Sequence, residues 1–133
     1  MVPNSSDPSA RMLASWLEAY GRAWETNDGP GFAALFTDDA LYSESPFAEP
    51  MVGTDAIAAY AGMMEQHQGD VSFSFEIVSV DPPVALFGAS YRNTANDEPT
   101  RLEGVFLLSF DEGGRCSSLR EWWHADPAPA FRA

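Results

Sequence analysis

The spacing of apolar residues changes period once along the chain, near residue 70. Before that point Leu13, Leu17, Tyr20 and Trp24 recur at three- and four-residue intervals, which predicts a first helix with an aromatic-rich face, ending near Glu25. Asp7 followed by Pro8 supplies an N-cap and a first-turn proline for it. "TNDGPG" breaks that helix, and Asp28 can cap a short second one carrying Phe32, Leu35 and Phe36. "TDD" then ends the second helix and "ALYSESPF" reads as a short strand. "GTDAIAAYAGMMEQH" (53–67) is the third helix, with Thr54 as N-cap and Asp55 placed favourably against the helix dipole. Ile57, Tyr60, Ala61 and Met64 form its apolar stripe, and Gly69-Asp70 closes it.

Beyond residue 70 the pattern alternates. "VSFSFEIVSV" sets Val71, Phe73, Phe75 and Ile77 on one face of a strand. "VALFGASYRNT", "RLEGVFLLSF" and "RCSSLREWWHA" follow as three more, separated by the turns "DPP", "ANDEP" and "DEGG". Helices first and then a run of strands predict an α+β fold with an antiparallel sheet. Three helices cannot cover both faces of such a sheet. They would cap one concave side, leaving a pocket beneath them and the other face free for a partner. The 133 residues suit a single domain, 1–133, with a core over about 12–125 and loose tails at 1–6 and 126–133.

Composition narrows the partners. Twenty acidic residues against seven basic give a formal charge of −13. Phosphate neutralisation needs clustered Lys and Arg, so nucleic acid is not an expected partner, and an anionic membrane surface is disfavoured for the same reason. Cys116 is the single cysteine, which rules out an intrachain disulfide and a cysteine-based zinc site; a structural role is expected for it. His67 and His124 are the only histidines, and His67 has no second ligand at helical spacing, so no metal is expected. The N-terminal "MVPNSSDPSA" lacks the basic start and apolar run of a secretory signal, and no segment reaches a membrane-spanning length. A cytoplasmic protein is the expectation.

Particular residues also resemble a known family. Tyr20 and Trp24, "FTDDALY" (36–42), "SPF" (45–47), "GTDAIAAY" (53–60), "FLLSFDEGGR" (106–115) and "LREWWH" (119–124) are similar to the nuclear transport factor 2-like superfamily, within it to the SnoaL-like polyketide cyclase and ketosteroid isomerase branch. The resemblance runs from about residue 12 to 125. It implies a cone-shaped α+β fold, a curved antiparallel or mixed sheet with three helices in the N-terminal half enclosing a pocket. It leaves the reaction open, since the superfamily hosts isomerases, cyclases, epoxide hydrolases, dehydratases and non-catalytic binding domains.

The isomerase mechanism needs a carboxylate base and an oxyanion hole made by a tyrosine and a protonated aspartic acid. The resemblance places Tyr20 at the oxyanion tyrosine, sixteen residues before the phenylalanine of "FTDD". It places Ser45 where the base belongs and Phe106 where the protonated aspartate belongs. Serine without a base of its own cannot take a proton from carbon near neutral pH, and phenylalanine donates no hydrogen bond. That mechanism is therefore excluded.

The remaining candidates carry two readings each. Tyr20 is either a core tyrosine or a hydrogen-bond donor to a ligand oxygen. In the last strand Leu119, Glu121 and Trp123 share one face, and Arg120, Trp122 and His124 share the other. The resemblance turns the Glu121 face toward the pocket. An inward carboxylate between Leu119 and Trp123 should have a raised pKa, fit for a general acid or base; otherwise it is a buried Glu paired with an arginine or a tyrosine hydroxyl. Ser43 and Ser45 are expected to line the pocket, with Glu44 facing outward. Trp24, Met64, Tyr91, Phe106 and Trp123 are expected to form its walls, with Met63 and Asn93 as further candidates. The face with Arg120, Trp122 and His124 suits a homodimer contact, which relatives commonly make there.

Two functions from different classes follow. One is a SnoaL-like small-molecule enzyme performing isomerase-, cyclase- or hydratase-type acid–base chemistry on an apolar oxygenated ligand, with Glu121 moving a proton, Tyr20 binding an oxyanion and no cofactor. The other is a non-catalytic small-molecule-binding or dimeric assembly domain of the same fold.

Overall fold

Residues 8–127 are described by a computed structural model. Helix α1 spans Pro8–Glu25, α2 Gly29–Ala33 and α3 Gly53–His67. The strands are β1 (Phe36–Ser43), β2 (Met51–Val52), β3 (Gln68–Val80), β4 (Pro83–Asn93), β5 (Pro99–Phe110) and β6 (Cys116–Asp126). They form one sheet in the order β2-β1-β6-β5-β4-β3. Every pairing is antiparallel except β1 with β6, which run parallel, so the sheet is mixed.

The single parallel pair follows from the chain's course. β1 leaves the helical half first and takes the place beside the last strand. The β3–β4–β5–β6 meander fills the rest through the tight turns the sequence announces. Along β4 and β5 the inward set is Ala85, Phe87 and Ala89 with Leu102, Phe106 and Leu108. Phe87 stacks on Phe106 at 4.2 Å between ring centroids. α1 lies across β3 and α3 across β1, so both long helices cover the same face. The core between them holds Leu13, Leu17, Tyr20, Phe32, Phe36, Tyr42 and Ile57, each at most 1% exposed.

Several boundaries differ from the sequence expectation, each for a local reason. Phe36 opens β1 instead of closing α2, because its ring packs into the core beside Phe32 at 5.7 Å and Trp16 at 5.6 Å. The strand then carries Asp38 and Asp39 consecutively outward, which the register break against β6 between Phe36 and Leu41 permits. The two-residue β2, absent from the sequence reading, pairs with Leu41 and Tyr42. Thr54 is not the N-cap of α3: the cap position is Val52, without a side-chain bond, and the chain enters the helix through Gly53 at φ +88°, a conformation suited to glycine. Gly69-Asp70 does not close α3 either, since β3 begins at Gln68 directly after the helix. Asp28 does cap α2, accepting from the Gly31 amide at 2.9 Å. The expected Asp7 cap lies outside the described residues.

Candidate active site

The parity of β1 positions the first half of the site. Tyr42 is 1% exposed and points into the core. Side chains alternate along a strand, so Glu44, two residues on, is carried to the same side. The expectation that Ser43 and Ser45 face inward with Glu44 outward is thus reversed. Ser43 pairs with Arg120 at the end of β1 and turns away from the core. The Ser45 hydroxyl instead accepts from the Phe47 amide at 3.2 Å in the loop that follows.

β6 supplies the other half. Leu119 is fully buried and Glu121 only 6% exposed on the inward face, with Trp123 at its open end. Arg120, Trp122 and His124 take the opposite face, where the Arg120 guanidinium sits over the Trp122 ring, 4.9 Å from its centroid. Phe106, expected as pocket wall, is fully buried and stacked on Phe87 behind the cavity, and does not line it.

The cavity has a volume of about 240 Å³. Tyr20, Trp24, Met63, Met64, Tyr91, Glu121 and Trp123 line it, as does Glu44; so do Tyr42, Tyr60, Gln68 and Leu102, which the sequence reading did not single out as site residues. Asn93 is not among them. Four polar contacts organise it. The Tyr20 and Tyr42 hydroxyls lie 2.6 Å apart and share one hydrogen bond. The Tyr60 hydroxyl donates to Glu44 Oε2 at 2.9 Å, and the Trp123 indole N–H to the Glu44 carbonyl at 3.1 Å. The Trp24 indole N–H donates to Gln68 Oε1 at 2.7 Å.

Glu121 differs from Glu44. No hydrogen bond reaches its carboxyl among the described residues. Burial pushes its pKa well above the usual carboxylate range, and the neighbouring charge of Glu44 pushes it further in the same direction. Glu44 is half-buried and held by Tyr60. Burial also raises Tyr20 and Tyr42 well above the ordinary phenol value, with Glu121 as the next cause for both, so the two hydroxyls keep their protons. Tyr60 moves the same way from burial and then Glu121. Two hydroxyls that share one bond leave one O–H over, and a donor that is itself bonded is a stronger one. The arrangement can therefore offer an acid, a second carboxyl and a phenolic donor to one small volume.

The chain belongs to the SnoaL-like domain family, whose model matches residues 17–119. Among solved structures it is similar to SalBIII, an epoxide hydrolase/cyclase-like enzyme in pyran ring formation of the polyether salinomycin, with TM-score 0.74, 16% identity, and 85% of this chain and 91% of that one covered. The Δ5-3-ketosteroid isomerase from Mycobacterium sp. superposes with TM-score 0.70 at 19% identity, over 85% of this chain and 93% of that one. RV0760c from Mycobacterium tuberculosis, in complex with estradiol-17β-hemisuccinate, gives TM-score 0.70 at 17% identity, over 85% and 94%. At these identities the likeness is one of fold. No curated protein matches the chain by sequence. Among the described residues no helix is long and apolar enough to cross a membrane, and no three His, Cys, Asp or Glu side chains gather as metal ligands.

Proposed function

We propose that the protein is an acid–base enzyme acting on a compact, apolar, oxygenated small molecule. The observation that carries this reading is the pair of carboxyls in unlike surroundings facing one cavity: Glu121 buried and without a hydrogen bond among the described residues, Glu44 half-buried and bonded by Tyr60. Such pairs divide the roles of acid and base between them. Glu121, protonated, donates to a ligand oxygen. Glu44 takes a proton from carbon or from water. The Tyr20–Tyr42 pair supplies its remaining O–H to the oxygen on which charge develops. Trp24, Met64, Tyr91 and Trp123 form walls and mouth. The cavity lies below the ~300 Å³ at which pockets for drug-sized ligands begin, which favours one or two rings over a four-ring skeleton. The outward face of β6 with Arg120, Trp122 and His124 is taken as a homodimer contact, to be checked by sedimentation equilibrium.

Proton exchange at carbon tests the chemistry without knowledge of the natural product. For a ketone such as 2-tetralone in D2O, Glu44 removes a proton from the carbon next to the carbonyl while Glu121 gives its own to the oxygen. Glu44 exchanges the proton it took for a deuteron of the solvent, the enol carbon takes that deuteron back from Glu44, and the hydrogen on the enol oxygen returns to Glu121, which leaves both carboxyls as they began. The wild type should exchange that position faster than buffer, and Glu121→Gln should lose about 10²–10⁴-fold of the acceleration. Exchange at the buffer rate, or unaltered in Glu121→Gln, removes the acid–base reading. Binding of the ketone without exchange would favour the non-catalytic binding domain.

A further inference from the structure

The cavity is polar in two places, and only one of them carries carboxyls. Glu121 pairs across the sheet with Phe106, and Phe106 with Ala85. Tyr91 stands six residues farther along β4, which at ~3.3 Å per residue puts its backbone ~20 Å along the strand direction from the Glu121 row. Three elements meet at that far end. Trp24 comes from the last turns of α1, Gln68 from the junction of α3 and β3, and Tyr91 from β4.

The groups there are ordered in sequence. The Gln68 amide N–H bonds the Met64 carbonyl at the end of α3, and its backbone is in register with Asn93 of β4. Its side-chain oxygen is occupied by the Trp24 indole at 2.7 Å. That bond decides which end of the side-chain amide is which, and leaves the NH₂ group, a pure donor. Gln68 and Tyr91 both line the cavity at this end, and burial raises the Tyr91 phenol with Gln68 as the opposing influence, so the hydroxyl keeps its proton. Among the described residues the Tyr91 hydroxyl has no acceptor, and it lines the cavity.

We propose that Trp24, Gln68 and Tyr91 form a second recognition locus, in which the Tyr91 O–H reads an oxygen acceptor on the end of the ligand remote from Glu121. The ligand class is then bifunctional: an apolar body with a carbonyl or hydroxyl at each end. This rests on the cavity being the ligand pocket, as proposed above, and not on any particular reaction. A polar tie between α1 and the sheet would explain the Trp24–Gln68 bond alone; it gives no reason for a phenol at the cavity wall that has no acceptor among the described residues.

Two pairs of probes of different length test it: 2-naphthol against 2,6-dihydroxynaphthalene, and 4-phenylphenol against 4,4′-dihydroxybiphenyl. Affinities are read by calorimetry for the wild type and for Tyr91→Phe, which keeps the Trp24–Gln68 bond. One neutral hydrogen bond is worth about 3- to 10-fold in affinity. The dihydroxy member of at least one pair should bind the wild type tighter by that factor, and most of the advantage should vanish in Tyr91→Phe. The monohydroxy members should bind both proteins equally. The comparison between proteins decides, because a symmetric ligand presents a hydroxyl at both ends whichever way it enters. An advantage of equal size in Tyr91→Phe, or none in either pair, overturns the proposal while leaving the pocket standing. Failure of every probe to bind overturns the locus and the pocket together.

Discussion

Replacing Glu121 by glutamine keeps the side chain's size and removes its titration. The residue is 6% exposed, and its carboxyl accepts no hydrogen bond among the described residues and has Glu44 as a like-charged neighbour. Its folded pKa therefore lies above the unfolded value of about 4.3. Between those two values the folded state holds the proton while the unfolded chain has released it. Stability then falls as pH rises through the window, at a slope of at most ~1.4 kcal/mol per pH unit for one proton. Below the unfolded value the group is neutral in both states and costs nothing. Above the folded value the cost is complete and constant. A glutamine carries none of this dependence, so the variant's stability relative to wild type should climb steadily from about pH 4.3 upward and then level off. For a domain of this size each kcal/mol corresponds to about 3–5 °C in Tm. Urea unfolding and calorimetry of both proteins from pH 4 to 9 would show the difference. Taking the difference cancels the acidic residues that both proteins share, apart from Glu44, whose charge acts on Glu121. Curves that stay parallel over the whole range would refute the assignment of Glu121 as a carboxyl buried at a cost.

The Tyr20–Tyr42 bond should appear in a double-mutant cycle. Either Tyr→Phe change alone leaves a buried hydroxyl without its partner and should cost about 1–3 kcal/mol in urea unfolding, whereas the double change should cost less than the sum. Gly104 faces Trp123 across β5 and β6, and a methyl there would overlap the Trp122 carbonyl and stand 2.9 Å from the Phe87 ring. Gly104→Ala should lower stability by about 1–3 kcal/mol and weaken ligand binding by displacing Trp123, seen as a change in indole fluorescence. The Cys116 thiol is fully buried and its pKa is pushed up to about 12 by burial, against weaker opposition from the backbone at Ser118 and Ser109. It should react with a disulfide reagent at pH 8 no faster than the protein opens, and a prompt reaction would contradict its placement.

Periodicity made α1 and the four long strands legible, because each places a long apolar set on one face. The last strand was readable for a second reason: Leu119–Glu121–Trp123 and Arg120–Trp122–His124 differ in polarity, so the choice of inward face carried Glu121 with it. β1 offered no such contrast. Ala40, Tyr42 and Glu44 on one parity and Leu41, Ser43 and Ser45 on the other are both mixed sets. What decides between them is the Tyr20 hydroxyl, which meets Tyr42 across 22 residues of sequence. Tyr60 read as part of an apolar stripe, and its bond to Glu44 depends on that same parity. Gln68 was hidden because α3 passes into β3 without a turn residue, so no local signal separates the helix from a side chain that reaches Trp24. Phe106 had the inward parity expected of it, but the Phe87 ring fills the space in front of it.

The proposed chemistry depends most on one property, a protonated Glu121 in a cavity it shares with Glu44. Carbon NMR of the glutamate side-chain carboxyls, with Glu121 assigned by its loss in Glu121→Gln, measures that property directly. The Glu121 signal should titrate well above the ordinary glutamate range, and Glu44→Gln should lower its midpoint by removing the neighbouring charge. A midpoint in the ordinary range, unmoved by Glu44→Gln, would contradict the account.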